Sequence, residues 1–153
     1  MGPIYSESLE DLDSLFAFGQ SEFKYCWDKE ALSDYFSDTS SIYTILVHEL
    51  EVIGYCLCNY NKFSKEVHLY QICISKSHRL KGYGLEIFKR TLKQACNFES
   101  VFLEVEVDNI PALSFYEKNG FKKLNQIKAF YSDGADAFAM HCIDSKLAKL
   151  LNT

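Results

Sequence analysis

The sequence is poor in proline and glycine, and it has no long hydrophobic run. It contains two prolines and seven glycines in 153 residues, so no Pro-rich or Gly-rich stretch separates two domains. No apolar segment approaches the ~20 residues that a membrane-spanning helix needs, and the acidic start does not resemble a signal peptide. We therefore expect a single domain over residues 1–153 and no membrane partner.

Basic residues are also scarce. Sixteen Lys and Arg residues stand against twenty-one Asp and Glu residues, which gives a formal net charge of −5. Because nucleic-acid binding needs a clustered basic surface, this balance argues against nucleic acid as a partner. An acidic surface is better suited to an amine or a basic peptide. The composition indicates no particular oligomeric state.

The cysteines lack the spacing of a zinc site. Of the six cysteines, the only close pair is Cys56 and Cys58, whose one-residue gap differs from the two to four residues usual in such sites. No histidine is placed to complete a site there. We therefore expect no metal, reduced thiols that act as small buried hydrophobes, and a cytoplasmic location.

Apolar and aromatic residues are abundant, at 48% and 15% of the chain, which is enough for a packed core. Their spacing switches between the helical period and the strand period along the chain. The predicted elements are helices at 7–18, 28–36, 85–95 and 111–119, and strands at 42–47, 52–58, 67–74, 101–107, 121–130 and 136–143.

This order of elements predicts an α/β fold with a mixed central sheet of about six to seven strands and helices on both sides. In strand 67–74, simple alternation places four residues on each face: Val67, Leu69, Gln71 and Cys73 on one, and His68, Tyr70, Ile72 and Ile74 on the other. Residues 144–151 are either a small docking helix or a frayed end.

A glycine-bearing loop, Arg79-Leu80-Lys81-Gly82-Tyr83-Gly84, lies between strand 67–74 and the next helix. Glycines allow the backbone to approach a ligand closely, and the first amides of a helix favour an anion. The loop has no third glycine of a dinucleotide fingerprint and no ending of a Walker loop. By itself it is either an anion cradle or an ordinary turn before a helix.

The pattern R-x-x-G-x-G between a strand and an amphipathic helix resembles the coenzyme A motif of GNAT N-acetyltransferases. About twenty residues later, the stretch from Leu103 to Phe121, with Asn109, Ala112 and Tyr116 at matching places, resembles the second signature of that family. The likeness is greatest to the RimI type, the ribosomal-protein-alanine N-acetyltransferases. It extends from Trp27 to Met140.

The resemblance implies the GNAT fold, acetyl-CoA as the cofactor and a set of residues that contact it. The expected cofactor-binding residues are Ile72, Cys73, Ile74, Arg79, Leu80, Lys81, Gly82, Tyr83, Gly84, Leu85 and Asn109. Asn109 has a second interpretation, as the N-cap of the helix that follows.

The resemblance also implies the catalytic residues. Glu104 matches the general base of RimI-type enzymes, and Tyr116 matches their general acid. His68 is the alternative base, because other GNAT relatives carry their base on the strand before the phosphate loop and imidazole titrates near neutrality. A third possibility is that neither residue is the base.

The acceptor is predicted less directly. Tyr131 lies in a stretch that matches the acceptor-peptide loop of N-terminal acetyltransferases, where Phe130 replaces one of two tyrosines. Cys26 replaces a proline of the family, and Gly19 replaces an acidic residue. The leading expectation is acetylation of a protein N-terminus. The alternatives are a small-molecule amine, such as an antibiotic, a polyamine or an aminoacyl nucleotide, and a non-catalytic acyl-CoA-binding module.

Overall fold

A computed structural model describes residues 1–143 and Leu151. Four α-helices and seven β-strands follow one another along this part of the chain. They are β1 (Ile4–Ser6), α1 (Leu12–Glu22), α2 (Lys29–Ser37), β2 (Ser41–His48), β3 (Glu51–Asn61), β4 (Glu66–Ile74), α3 (Tyr83–Leu92), β5 (Ser100–Glu106), α4 (Ile110–Lys118), β6 (Lys122–Ile127) and β7 (Ala137–Ile143).

The seven strands form one mixed sheet in the order β1-β2-β3-β4-β5-β7-β6. Strands β4 and β5 are parallel, and the other neighbouring strands are antiparallel. A parallel pair needs a crossover connection, and α3 supplies it between β4 and β5. The predicted α/β fold with a mixed sheet is therefore confirmed.

Helices cover both faces of the sheet and bury a separate apolar cluster on each. On one face, the core includes Ile87, Phe88 and Leu92 of α3 and Leu113 of α4. On the other face, Leu15, Phe18 and Leu32 of α1 and α2 pack against Tyr55. The second cluster matters most for the site, because α1 and α2 are joined by a loop that reaches towards β5.

The N-terminal end differs from the prediction in two ways, by an additional strand and by a later start of the first helix. The structure has a short strand at Ile4–Ser6, which pairs with β2, and α1 begins at Leu12 rather than at residue 7. Asp11 explains the later start, because its side chain accepts from the backbone N–H groups of Asp13 and Ser14. Helix α2 begins close to the predicted position, because the carboxylate of Asp28 caps it by accepting from the N–H of Ala31.

The predicted alternation of strand 67–74 fails in its second half because β4 contains a bulge. Leu57 of β3 pairs with Gln71, whereas the next residue, Cys58, pairs with Leu69, so that Tyr70 is an extra residue. The bulge turns Gln71 and Cys73 to the face that holds His68. Gln71 accordingly accepts a hydrogen bond from Tyr55, on the α1–α2 side, at 2.7 Å.

Several other expectations concern single residues or segments. No disulfide joins any of the six cysteines, all of which lie in the described part, and Cys56, Cys58, Cys73 and Cys142 are buried. Residues 144–150, for which a small helix or a frayed end was predicted, lie outside the described residues, whereas Leu151 packs against the larger core. Within the described residues, no helix has the length and apolar character needed to cross a membrane.

Candidate active site

The parallel strands β4 and β5 pair over only part of their length. Their register runs from Glu66 opposite Ser100 to Leu69 opposite Leu103, and it stops there, although β4 continues to Ile74. The remaining part of β4 has β3 as a neighbour on one side, and no strand of residues 1–143 pairs with it on the other. Backbone groups in this stretch are therefore available to a ligand that lies in the gap.

Helix α3 begins at the end of this gap. Its N-cap is Gly82, which has a left-handed φ of 84° and provides no side-chain acceptor to the first turn. The first amides of the helix therefore have no side-chain cap, and the helix dipole favours an anion beside them. A Cβ added to Gly82 would meet no atom within 4 Å. The glycine thus leaves open space above the amides rather than accommodating a neighbouring group.

The loop before α3 is held against β4 by Arg79. Its Nε donates to the carbonyl of Ile74 at 2.9 Å, and its guanidinium lies 3.9 Å from a carboxylate oxygen of Glu22. Leu80, which follows, has a φ of 62° and is fully exposed. Arg79 therefore fixes the loop at the end of the gap, while Leu80 and Lys81 face solvent.

These features fit a coenzyme with a diphosphate and an amide-containing arm. The uncapped start of α3 suits the diphosphate. The part of β4 beyond its pairing with β5, which holds Ile72, Cys73 and Ile74, suits the amides of the arm, although the carbonyl of Ile74 already accepts from Arg79. Tyr83, Gly84 and Leu85 form the first turn of the helix. Asn109 does act as the N-cap of α4, since its Oδ1 accepts from the N–H of Ala112. Contacts of all these residues with a cofactor stay a prediction.

The two alternative bases lie against each other. Nε2 of His68, on β4, is 2.7 Å from Oε2 of Glu104, on β5, and both side chains are about one-fifth exposed. The ring of His68 stacks on Phe102, its register partner, with centroids 4.1 Å apart. The stack and the carboxylate fix the imidazole in one orientation at the last paired rungs of the two strands.

Two loops meet beside this pair. Tyr25, between α1 and α2, stacks on Tyr131, between β6 and β7, with ring centroids 4.0 Å apart and an interplanar angle of 13°. The hydroxyl of Tyr25 donates to Asp133 at 3.1 Å. Gln71, which follows the bulge, adds a longer contact, 3.4 Å from its Nε2 to the carbonyl of Tyr25. The loops thus form an aromatic wall supported by the sheet.

Tyr131 is electrostatically linked to Glu104 of the His68–Glu104 pair. Burial, followed by the negative charge of Glu104, raises the pKa of Tyr131 to about 12. Its hydroxyl therefore keeps its proton at neutral pH and is able to donate it in a hydrogen bond to a ligand. The sequence placed Tyr131 at the acceptor, and the structure puts it beside the carboxylate that was predicted as the base.

Tyr116 is 7% exposed and lies in the larger core, with its ring edge-on to Phe115 and Phe121. Burial raises the pKa of Tyr116 far above its ordinary value. Among the described residues, no hydrogen bond to its hydroxyl is formed. The hydroxyl is therefore a protonated donor without a hydrogen-bond partner in the described part of the chain, which fits the state required of a general acid.

The model of the acetyltransferase (GNAT) family matches residues 7–121. The chain belongs to this family. The matched segment includes both strands of the gap, the loop before α3 and Tyr116, so the family assignment rests on the same residues as the geometry. The resemblance predicted from sequence is confirmed at the level of the family.

Relatives of this GNAT chain carry a more specific name. It is 40% identical over 76 residues to the N-alpha-acetyltransferase of Saccharolobus solfataricus, an alignment that covers 48% of this chain and 46% of the relative. It is 28% identical over 150 residues to the N-alpha-acetyltransferase of Sulfolobus acidocaldarius, which covers 87% of each. The alignment with the first relative thus spans about half the length of that protein.

The GNAT fold is shared with the ribosomal-protein-S18-alanine N-acetyltransferase from Escherichia coli. That crystal structure superimposes on 92% of this chain, and on 93% of its own, with a TM-score of 0.81 at 18% identity. At this identity, the similarity concerns the fold, and it agrees with the seven-stranded sheet and the helices on both faces.

Sequence reasoning missed part of this GNAT site. Tyr25 and Gln71 were not among the predicted site residues, although Tyr25 lies only two residues before the tryptophan that the resemblance matched. The pattern of the α1–α2 loop is not periodic, so it carried no local signal. Gly19, a departure from the family pattern, has a structural explanation, because an added Cβ would lie 3.1 Å from the hydroxyl of Tyr55.

Proposed function

We propose that this chain transfers the acetyl group of acetyl-CoA to the N-terminal α-amine of a protein or peptide. The observation that carries the proposal is the hydrogen-bonded pair of His68 and Glu104, placed at the gap between β4 and β5 and beneath the Tyr25–Tyr131 wall. The names of the archaeal relatives support the same acceptor.

The proposed site divides into a coenzyme half and an acceptor half. In the coenzyme half, the amides at the start of α3 would hold the diphosphate, and the free edge of β4 would hold the amide-containing arm. Lys81, exposed in the loop, would add positive charge. When bound, acetyl-CoA supplies the activated acetyl group, and the residues of the chain bind, orient and exchange protons with the acceptor.

Deprotonation of the acceptor is assigned to the His68–Glu104 pair. An N-terminal amine with an ordinary pKa near 7.7–8 is largely protonated at neutral pH, and a protonated amine has no lone pair for attack. We assign proton removal to the pair as a unit, with Glu104 as the preferred acceptor of the proton. General base catalysis of this kind contributes about 10²–10⁴-fold.

Protonation of the departing thiolate is assigned to Tyr116. Its hydroxyl remains protonated because burial raises its pKa, and it makes no hydrogen bond with a described residue that would divert the proton. Tyr131 is assigned to acceptor binding. The single domain over residues 1–153 and the cytoplasmic location remain predictions.

The experiment is release of free thiol from acetyl-CoA in the presence of a panel of acceptors. The panel contains peptides with free N-termini, the same peptides with blocked N-termini, and small amines. Turnover of the free peptides alone is the expected result. Turnover of small amines alone would replace the proposed acceptor with a small molecule, and tight acetyl-CoA binding without turnover would favour the non-catalytic reading.

A further inference from the structure

Lys24 links the α1–α2 loop to two other parts of the site. Its ammonium lies 2.9 Å from Oε1 of Glu106, on β5, and 3.6 Å from Oδ2 of Asp133, in the β6–β7 loop. The next residue, Tyr25, both stacks on Tyr131 and donates to Asp133. We name this set of contacts, made by Lys24, Tyr25, Glu106, Tyr131 and Asp133, the latch.

The latch adjoins the catalytic pair. Glu106 follows Glu104 by two residues on the same face of β5, which places the two residues about 6.6 Å apart along the strand. An extended acceptor advances by about 3.3 Å for each residue. An acceptor whose amine reaches Glu104, and whose chain runs along β5 towards Glu106, would pass the latch within its first few residues.

The ion pair to Glu106 is better protected than an ordinary surface pair. The Glu106 side chain is only 14% exposed, whereas Lys24 is 61% exposed. Ion pairs between fully exposed groups are weak because water and salt screen them. Here a single ammonium is shared by two carboxylates, and the stacked rings and the tyrosine hydroxyl join the same two loops. Several contacts that are weak individually thus hold the two loops in the same position relative to each other.

We propose that Lys24 is a positioning residue for acceptor binding, which holds Tyr25 on Tyr131 and so keeps the acceptor-facing wall in one arrangement. The inference rests on the proposed function, because it assumes that the acceptor passes between these loops. Lys24 forms its ion pairs with Glu106 and Asp133 rather than with His68 or Glu104, so its loss acts on the binding of the acceptor rather than on the chemistry.

The test compares Lys24→Met with Lys24→Arg and with a matched control, Lys29→Met. Lys29 is an exposed lysine five residues away, and it is ion-paired with Asp13 outside the latch. In Lys24→Met we expect the KM for an acceptor peptide to rise at least fivefold, while kcat and the Kd for acetyl-CoA change less than twofold. Lys24→Arg should keep most of the wild-type KM, and Lys29→Met all of it.

A second measurement tests whether the latch holds the two loops together, and it does not require enzyme turnover. Amide hydrogen exchange should become faster in Lys24→Met over residues 23–28 and also over residues 129–135, because the two loops are held to each other. Lys29→Met should leave residues 129–135 unchanged. This readout does not depend on which amine is acetylated.

The outcomes separate this proposal from the proposed function. Faster exchange in both loops together with a higher KM supports the positioning role. An unchanged KM in Lys24→Met, or unchanged exchange in the β6–β7 loop, overturns it. If the wild-type protein turns over no peptide, the proposed acceptor is wrong. The role of Lys24 in holding the loops is then tested by amide hydrogen exchange alone. If Lys24→Met does not accelerate exchange in both loops, this role is rejected.

Discussion

His68 and Glu104, which the sequence offers as alternative bases, form one hydrogen-bonded unit, with Nε2 and Oε2 2.7 Å apart. They lie on neighbouring parallel strands, two rungs apart in register, since His68 is opposite Phe102. The question of which residue is the base therefore becomes a question about a pair. In such a pair, the carboxylate orients the ring and the ring limits the freedom of the carboxylate.

The pair predicts non-additive losses. His68→Gln and Glu104→Gln should each lower kcat/KM by about 10²-fold, and the double variant should lose little more than the worse single variant. The measurement is steady-state kinetics on the acceptor peptide. The control is His141→Gln, a histidine on β7 that is the register partner of Phe102 and has no bond to Glu104. Losses that multiply in the double variant would show that the two residues act independently.

Tyr116→Phe should lower kcat at least tenfold and leave the Kd for acetyl-CoA and the melting temperature nearly unchanged. The hydroxyl has no hydrogen bond to a described residue, so its removal breaks no structural contact. Tyr35→Phe is the opposite case, because the Tyr35 hydroxyl bridges the carbonyls of Ile42 and Cys58. Tyr35→Phe should lower the free energy of unfolding by about 1 kcal/mol and leave kcat unchanged. Full activity in Tyr116→Phe would remove this residue from the mechanism.

Gly82 and Gly134 allow backbone strain to be separated from ligand binding. Both have a positive φ, 84° and 86°, and neither has an atom within 4 Å of an added Cβ. Each substitution by alanine should therefore cost about 1–2 kcal/mol of stability. Only Gly82→Ala should also raise the Kd for acetyl-CoA, by at least tenfold, in isothermal titration. Equal affinities in the two variants would place the diphosphate elsewhere.

The rate at which a cysteine is alkylated should depend on how deeply its thiol is buried. Burial is the main cause that raises the pKa of Cys73 to about 11, so only about one thiol in 10³ is ionised at pH 8. Because the thiolate is the reactive form, alkylation of Cys73 should be negligible there and should accelerate as the pH rises towards 11. Exposed Cys96 is the internal comparison. Mass spectrometry after a timed iodoacetamide reaction measures both, and equal rates at pH 8 would contradict the burial of Cys73.

Gly54 lies in β3, next to β4, at a position where the sheet has no room for a larger side chain. A Cβ added there would lie 2.6 Å from Cδ1 of Ile74 and 3.0 Å from the carbonyl of Cys73. Gly54→Ala should therefore destabilise the fold by about 1–3 kcal/mol. Adding Ile74→Val removes the methyl group in the closer contact and should recover part of the loss in chemical denaturation. If the double variant is no more stable than Gly54→Ala, the destabilising contact is the one with the backbone of β4.

The sequence by itself determined the elements whose signals are local. Strand β5 shows this best, because its alternation placed Val101, Leu103 and Val105 on the buried face, as observed. The caps at Asp28 and Asn109 also depend on nearby residues alone, since each side chain accepts from the N–H three residues later. The loop before α3 and the second signature were sufficient to predict the family, since both are contiguous in sequence.

Tertiary structure alone decided how these pieces form a site. The bulge at Tyr70 turned Gln71 towards Tyr25, which alternation could not predict because a bulge depends on how β3 pairs with β4. The contact of Tyr25 with Tyr131 joins residues more than one hundred positions apart in two loops without periodicity. Likewise, the pairing of His68 with Glu104 required the register of β4 and β5. Local periodicity encodes the elements, whereas the register of distant strands and the meeting of loops depend on packing of the whole chain.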